Sequence, residues 1–318
     1  MRTPSSVIID RRLAGRPLLD VLLTSFHLSR KDGLNALKSR KVLICGGACV
    51  DPQRRVKIGQ HIQLERESKE PEKPRVPAIA REIVVRHVDE HIVVVEKPAG
   101  LTTVRHADEV ASLGKRAKKF LPPTLVDLLP AVLAKIGKHA KGRIRAVHRI
   151  DKETSGLVVL ARTPDAESKL GKQFRAHSTG RHYLALVRGP AKDARIESHL
   201  VADRGDSRRG SGTGGQLAIT HVRVIEPLGD FALVECRLET GRTHQVRIHL
   251  GEAGTPLCGE RVYDRPLHGA PLPDCSGAKR PLLHAAYLAL DHPATGKRME
   301  WHAKVPNDMS ELVKRWKG

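Results

Sequence analysis

The sequence predicts an α+β protein: a domain built on a mixed, mainly antiparallel sheet with flanking helices, preceded by a small α/β unit. Three observations predict it. From residue 83 onward, short apolar and β-branched runs recur with turn residues between them and a few helical stretches interspersed. Residues 66–80, RESKEPEKPRVPAIA, are charged and carry prolines at 71, 74 and 77, a composition that removes backbone donors and cannot build a core. Ahead of that stretch, residues 17–65 show two helical patterns and then short strands. The expected organisation is an N-terminal extension over 1–16, a small domain over 17–66, a linker over 67–80 and a main domain over 81–318.

In the small domain, PLLDVLLTSF has apolar residues at helical spacing. Ser29 is placed to cap a second helix, SRKDGLNALKSRK, with Asp32 three residues on in a variant of the capping box. That helix would turn Leu34 and Leu37 inward and expose Arg30, Lys31, Lys38, Arg40 and Lys41. The stretch VLICGGACVDPQRRVKIGQHIQLE reads as short strands, with Gly46-Gly47 as a hairpin turn and further turns at Asp51-Pro52 and Ile58-Gly59-Gln60. In the main domain, REIVVRHVDEHIVVVEKPAGL gives two strands split by a turn over Val88–His91. Residues 107–142 read as mainly helical, including TLVDLLPAVLAKI. Further strands are expected over 158–163, 183–188, 219–226 and 231–238, and a mobile Gly/Ser/Arg-rich loop over 203–216. No internal repeat is visible.

Composition narrows the function. Apolar residues make up 40% of the 318, enough for a sizeable core. The 56 Lys and Arg against 35 Asp and Glu leave a formal charge of +21, which points to a polyanionic partner. Nucleic acid fits better than a membrane surface, because there is no amphipathic anchor or lipidation signal. The first residues carry charges where a secretory signal has its apolar core, and no run approaches the ~18–20 apolar residues that cross a bilayer. Five cysteines are odd in number and sparse, the pattern of reduced thiols in a cytoplasmic protein. Cys45 and Cys49 lack a second pair at zinc spacing, so no metal site is expected. Neither a GxxxxGK[ST] phosphate loop nor a convincing GxGxxG fingerprint is present.

One segment stands out chemically. HRIDKETSGL, residues 148–157, is a polar, charged turn wedged between apolar runs, with Thr154, Ser155 and Gly156 suited to a tight turn. Asp151 is flanked by Arg149 and Lys152, and nearby cations favour the ionised form that a nucleophile or base requires. On composition alone, an ordinary surface ion-pair turn is the stronger reading.

The wider pattern reverses that preference. HRIDKETSGLVVLART resembles the HRLDxxTSGLLLxA motif of the RluA family of RNA pseudouridine synthases, whose aspartate is the catalytic residue. EKPAGL at 96–101 resembles the family's NKPxGL, and RHYLALVRG at 181–189 its KxYxAlVxG strand. ETGRTHQVRIHL at 239–250 resembles LxTGRTHQIRVHL. GTPLCGERVY at 254–263 and LLHAAYLALDHPATGK at 282–297 resemble two further blocks, in the family's order. Residues 17–65 resemble the S4 RNA-binding domain that often precedes this catalytic domain, although Cys45-Gly46-Gly47 stands where an asparagine-glycine turn is usual.

The resemblance implies a pseudouridine synthase fold behind an S4-like domain, acting on RNA without a cofactor, as a cytoplasmic monomer with no membrane association. Ribosomal RNA is the expected substrate, of the large subunit first, with transfer RNA second. It implies Asp151 as the essential carboxylate, Arg247 as the arginine that pairs with it, with Arg242 as a nearby competitor, and Tyr183 as the residue that stacks on the base. His148, Arg149, Thr154, Arg242, Thr243 and His244 are the expected substrate contacts, and Arg30, Lys31, Lys38, Arg40 and Lys41 the S4 contacts. His182 departs from the family residue at its position, while Arg181 keeps a charge beside it. Three other readings are weaker. An inactive RNA-binding protein would not need Asp151, Tyr183 and Arg247 together, and 3% aromatic residues are few for a stacking-based binder. A methyltransferase would need a glycine-rich cofactor loop after a strand. A hydrolase would need a GxSxG elbow or an HExxH helix.

Overall fold

The computed structural model describes residues 6–39, 41–65, 77–105, 121–138 and 142–317. The chain divides into two compact units, Met1–Arg75 and Val76–Gly318. Among the described residues no helix is long and apolar enough to cross a membrane, and the five cysteines are unpaired.

In the first unit, β1 (Ser6–Ile8), α1 (Leu18–Ser25), α2 (Arg30–Lys38), β2 (Val42–Ile44), β3 (Gly47–Ala48) and β4 (His61–Leu64) follow in order. The strands form one sheet in the order β1-β4-β2-β3, antiparallel at every pair. Helix α1 buries Leu18, Leu19, Val21 and Leu22. At the start of α2 the Ser29 hydroxyl accepts from the Asp32 N–H, which satisfies one of the orphan donors of a helix N-terminus.

Two expectations change here. Of the expected extension 1–16, residues 1–5 lie outside the described residues, and the rest is not merely an extension: Val7 pairs with Ile62, and Ile9 is buried in the core. The hairpin turn is Cys45-Gly46, not Gly46-Gly47, since Ile44 pairs with Gly47. Both turn residues have positive φ, 50° and 84°, as a tight hairpin of this hand requires, and Cys45 is an uncommon occupant of that position.

The second unit holds an 11-stranded sheet. Its strands are β5 (Val84–Val88), β6 (Ile92–Lys97), β7 (Arg145–Ala146), β8 (Ser155–Ala161), β9 (Gly180–Arg188), β10 (Ala194–Val201), β11 (Gly210–Ser211), β12 (Gln216–Leu228), β13 (Phe231–Leu238), β14 (Leu283–Asp291) and β15 (Arg298–His302). The main path runs β11-β10-β12-β13-β9-β14-β8-β6-β5, with β15 beside β14 and β7 beside β8. All pairs are antiparallel except β14 with β8. Among the described residues its α-helices are α3 (Leu125–Lys135), α4 (Pro164–Arg175), α5 (Gln245–Glu252) and α6 (Asn307–Trp316).

Both faces of the sheet centre are covered. Val93, Val95, Val158 and Leu160 pack with Leu125, Leu129 and Leu133 of α3. Ile92, Val94, Leu157 and Val159 pack with Leu170 of α4 and with Leu290. A strand buried on both sides loses the alternation of apolar and polar residues, which is why all seven residues of β8 are buried.

Several boundaries differ from expectation: β9 begins at Gly180 rather than 183, and β12 spans Gln216–Leu228 rather than 219–226. The strand expected over 158–163 starts three residues earlier and ends at Ala161, because Thr163 turns out of the sheet to cap α4. The linker's last residues form a 3-10 helix over Ala78–Arg81 whose Ala80 lies in the core, while its earlier part lies outside the described residues. The expected mobile loop 203–216 is tied down: β11 pairs with β10, and Glu252 binds Arg204 and Ser211. Of the stretch expected to be mainly helical, 107–142, helix α3 is described; residues 107–120 and 139–141 lie outside the described set.

Candidate active site

Asp151 sits in the turn between β7 and β8, and four consecutive backbone carbonyls of that turn are occupied. Thr103 Oγ1 donates to Ile150 O at 2.8 Å, and the Thr154 N–H to Asp151 O at 3.1 Å. Lys97 Nζ and the Gly100 N–H donate to Lys152 O at 3.1 and 2.8 Å. Arg280 Nη1 donates to Glu153 O at 3.0 Å. The turn is therefore held by its backbone from separate elements, and the Asp151 side chain is left to the site. Beyond the turn, Gly156 has φ +115°, and a Cβ there would stand 2.3 Å from the Ala285 carbonyl oxygen. Only glycine lets β8 run this close to β14, which explains its place in the TSG sequence.

Lys97 is 1% exposed, and burial pushes its pKa down to about 7, with Glu153 and Asp151 opposing. Its folded pKa lies below the unfolded value of about 10.5. Between the two, the unfolded chain binds a proton that the native chain does not, so this contribution to stability grows as pH rises from about 7 and is lost as pH falls back. Replacing Lys97 by Met should remove that slope. Denaturant melts at pH 7.5 and 9.5 should show wild type gaining about 1–3 kcal/mol relative to Lys97→Met. Parallel behaviour of the two proteins would contradict a buried, titrating Lys97.

Helix α5 brings the second set of groups. Gln245, 2% exposed, accepts from Thr240 Oγ1 and the Arg242 N–H and donates to Ile219 O and Thr220 Oγ1. His249 on the same helix contacts Thr220 and Ser198. These bonds fix the start of α5 against β10 and β12, and Arg247 projects from its first turn to Asp151, with Nη1 3.5 Å from Oδ2. His244 Nε2 lies 3.8 Å from the other carboxylate oxygen. The groups beside Asp151 thus include Arg247 and His244, whose imidazole burial holds below its ordinary pKa. Arg242 instead donates from Nε to Leu217 O.

The bidentate partner of Arg247 is a residue that the sequence did not single out. Glu260 accepts from Arg247 Nε at 2.7 Å and Nη2 at 2.9 Å. Its Oε1 also accepts from the backbone N–H groups of Val262 and Arg261. Burial alone would raise this carboxyl; the Arg247 hydrogen bonds and charge and the backbone donors hold it below the usual range. Tyr263 completes the group: the Arg247 guanidinium lies 5.2 Å from its ring centroid, and its hydroxyl is 2.8 Å from His244 Nδ1.

These groups border a cavity of about 420 Å³. Of the expected catalytic and substrate residues, Asp151, Tyr183, Arg247, His148, Arg149, Thr154, Arg242 and His244 line it. Thr243 does not; it is exposed and borders a neighbouring depression with Arg209. The cavity lining carries five arginines, at 149, 175, 181, 242 and 247, against the single carboxylate Asp151. Tyr183 on β9 is 9% exposed, and burial pushes its phenol up to about 12, so the hydroxyl is protonated at neutral pH.

His148 is braced rather than open. Its ring stacks on Phe174 at 4.4 Å and its Nε2 accepts the Val159 N–H. Desolvation and the Arg181 charge push its pKa down to about 3, so the ring is neutral near pH 7. In the first unit Arg30, Lys31 and Lys38 are exposed on α2, Lys41 is half-buried rather than exposed, and Arg40 lies outside the described residues. Among the described residues no three His, Cys, Asp or Glu side chains are grouped to hold a metal ion.

Comparison with known proteins gives a consistent picture. The profile of a family described as RNA pseudouridylate synthase matches residues 91–252, half of the chain. A protein of Zymomonas mobilis named ribosomal large subunit pseudouridine synthase D is 37% identical over 96% of this chain and 92% of its own length. A protein of the same name from Pseudomonas aeruginosa is 33% identical over 85% of this chain and 82% of its own. Among solved structures, human RNA pseudouridylate synthase domain containing 4 superposes with a TM-score of 0.59 at 23% identity, covering 76% of this chain and 95% of that one, a likeness of fold.

Proposed function

The chain belongs to the RNA pseudouridylate synthase family, and on that premise we propose that it isomerises uridines of large-subunit ribosomal RNA, with Asp151 as the reacting carboxylate. The observation that carries this reading is the single carboxylate in a cavity whose other charged side chains include five arginines, beside Arg247 and in the same chamber as Tyr183. A polyanionic substrate is drawn to such a cavity, and a lone carboxylate within it has a chemical rather than an electrostatic purpose.

Pseudouridine formation breaks the C1′–N1 bond, turns the uracil and joins C5 to C1′. It is an isomerisation, so the net reaction consumes no oxidant, reductant or energy donor. In the proposed site Asp151 either attacks C1′ or removes the C2′ proton. Arg247, itself fixed by Glu260, holds that carboxylate in place. Tyr183 offers a ring for the base to stack on. With its phenol near 12, its hydroxyl acts first as a hydrogen-bond donor and needs a neighbouring base before it can accept the C5 proton.

A uridine in folded RNA reaches the cavity only by leaving the stack, at a cost of roughly a few kcal/mol. Arg149, exposed at the cavity rim, is placed to fill the vacated space or hold a flanking phosphate. The first unit, with Arg30, Lys31 and Lys38 along α2, is proposed as an S4-type RNA-binding module, and the protein as a monomer.

The test is direct. Purified protein, incubated with transcribed large-subunit ribosomal RNA and with bulk transfer RNA, should place pseudouridine at discrete positions of the ribosomal RNA without added cofactor. Mapping total RNA from cells with and without the gene should find the same positions. Conversion confined to transfer RNA would reassign the substrate, and conversion of neither would overturn the reading.

A further inference from the structure

The cavity contains a second arginine whose chemistry is unanswered within the protein. Arg181 stands on β9 two residues before Tyr183, so both side chains leave the same face of the strand, and both line the cavity with Asp151. Arg181 is 9% exposed. Its Nε is buried without a hydrogen-bond partner. Its one hydrogen bond among the described residues is a long contact from Nη2 to the Glu239 carbonyl oxygen, at 3.5 Å. The guanidinium lies 5.7 Å from the Phe174 ring centroid.

Five other sequestered arginines, two of which also bury an unpartnered Nε, each meet a carboxylate. Arg188 is paired with Asp274, Arg204 with Glu252, Arg247 with Glu260, Arg280 with Asp308 and Arg105 with Asp127. No such carboxylate stands within ion-pair distance of Arg181 among the described residues. A guanidinium carries five N–H donors, and burying it unpaired is strongly unfavourable. The backbone is nevertheless shaped around it. A Cβ at Gly241 would stand 2.5 Å from Arg181 Nη1, so the guanidinium lies against the chain at that glycine, in the turn that leads to His244 and Arg247. A buried, unpaired cation fitted into a reaction cavity is a binding group for an anion the protein does not supply.

We propose that Arg181 is a substrate-binding residue that takes the phosphate of a linkage adjoining the target uridine. The inference rests on the cavity being the site of uridine isomerisation. Uracil and ribose are uncharged, so the phosphodiester is the anionic part of the nucleotide. Asp151 is committed to the sugar and Tyr183 to the base, which leaves Arg181, in the same chamber, to the phosphate. A planar fork of donors matches a phosphate bidentately, which an ammonium does not.

The experiment uses short RNAs carrying a uridine that wild-type protein converts, each with one linkage near that uridine replaced by an uncharged methylphosphonate. Conversion of the unsubstituted RNA by wild type checks the functional reading by itself. Wild type should lose about 10–100-fold in kcat/KM at one linkage, the scale of a charge-assisted hydrogen bond or two. Arg181→Gln should lose a similar factor on unsubstituted RNA and show no further loss at that linkage, while other linkages behave as in wild type. Arg181→Lys should recover part of the activity, and Gly241→Ala, which presses on the guanidinium, should blunt the response at the same linkage. Melting temperatures of the variants separate this from a folding defect. If Arg181→Gln and the methylphosphonate effects multiply at every linkage, or if Arg181→Gln turns over like wild type, Arg181 does not bind phosphate.

Discussion

Asp151→Asn is expected to lower turnover by at least about a thousandfold while leaving RNA affinity within roughly threefold of wild type. The substitution keeps the shape of the side chain and removes its charge and basicity. The turn should survive, because its carbonyls are held by Thr103, Lys97, Gly100 and Arg280 rather than by the carboxylate. The contacts of the carboxylate with Arg247 and His244 are long, 3.5 and 3.8 Å. Arg247 also keeps both hydrogen bonds to Glu260, so no buried cation is orphaned. The melting temperature should therefore stay within a few degrees of wild type. Single-turnover kinetics with RNA, read beside a binding isotherm and a melt, separate the three quantities. Near-normal turnover in this variant would remove Asp151 as the reacting group.

Much of the fold was legible because its rules are local. Ser29 capping α2 through Asp32 follows from side-chain chemistry a few residues apart, and strand β13 matches its expected bounds of 231–238. What failed was also local physics, misjudged. Thr163 ends β8 early because a threonine before proline caps a helix better than it extends a strand. Cys45 takes a positive φ that asparagine or glycine more often adopts. The segment 203–216 looked loose by composition, yet Glu252, far along the chain, binds Arg204 and Ser211.

The site divides in the same way. Asp151, Tyr183 and Arg247 come from three separate motifs, and the structure places all three on one cavity. Glu260, Lys97 and Arg181 were not singled out, although each lies in a segment that carries the resemblance. Their importance is a matter of burial and partners. A glutamate in GERVY has no sequence mark that says it faces Arg247, and nothing in RHY says that the arginine lacks a carboxylate. A charged residue inside an otherwise buried motif was the available signal.

Glu260 carries the second large expected effect. Glu260→Ala should destabilise the protein by about 3–5 kcal/mol, because it strips a sequestered guanidinium of its bidentate partner and leaves the charge behind. For a unit of this size that corresponds to a fall in melting temperature on the order of 10 °C. The freed Arg247 would be drawn toward Asp151, 3.5 Å away, a contact that replaces only part of what the bidentate Glu260 supplied. A carboxylate drawn into closer pairing is a poorer nucleophile or base. The kcat should fall by about a hundredfold or more with KM for RNA little changed, since neither residue is needed to bind the RNA chain.

Glu260→Gln separates the two effects. It keeps the shape and one acceptor oxygen but offers only one prong to a two-pronged donor, so stability and kcat should fall partway. The acid limb gives an independent reading. The folded Glu260 carboxyl titrates below its unfolded value, so its contribution is present above the unfolded pKa of about 4.3 and lost as pH falls through the folded one. Wild type should therefore lose more stability than Glu260→Gln as pH drops from about 5 into that range. Equal acid limbs, together with a Glu260→Ala protein as stable as wild type, would mean that Arg247 does not depend on Glu260 and that the Asp151 geometry is set elsewhere.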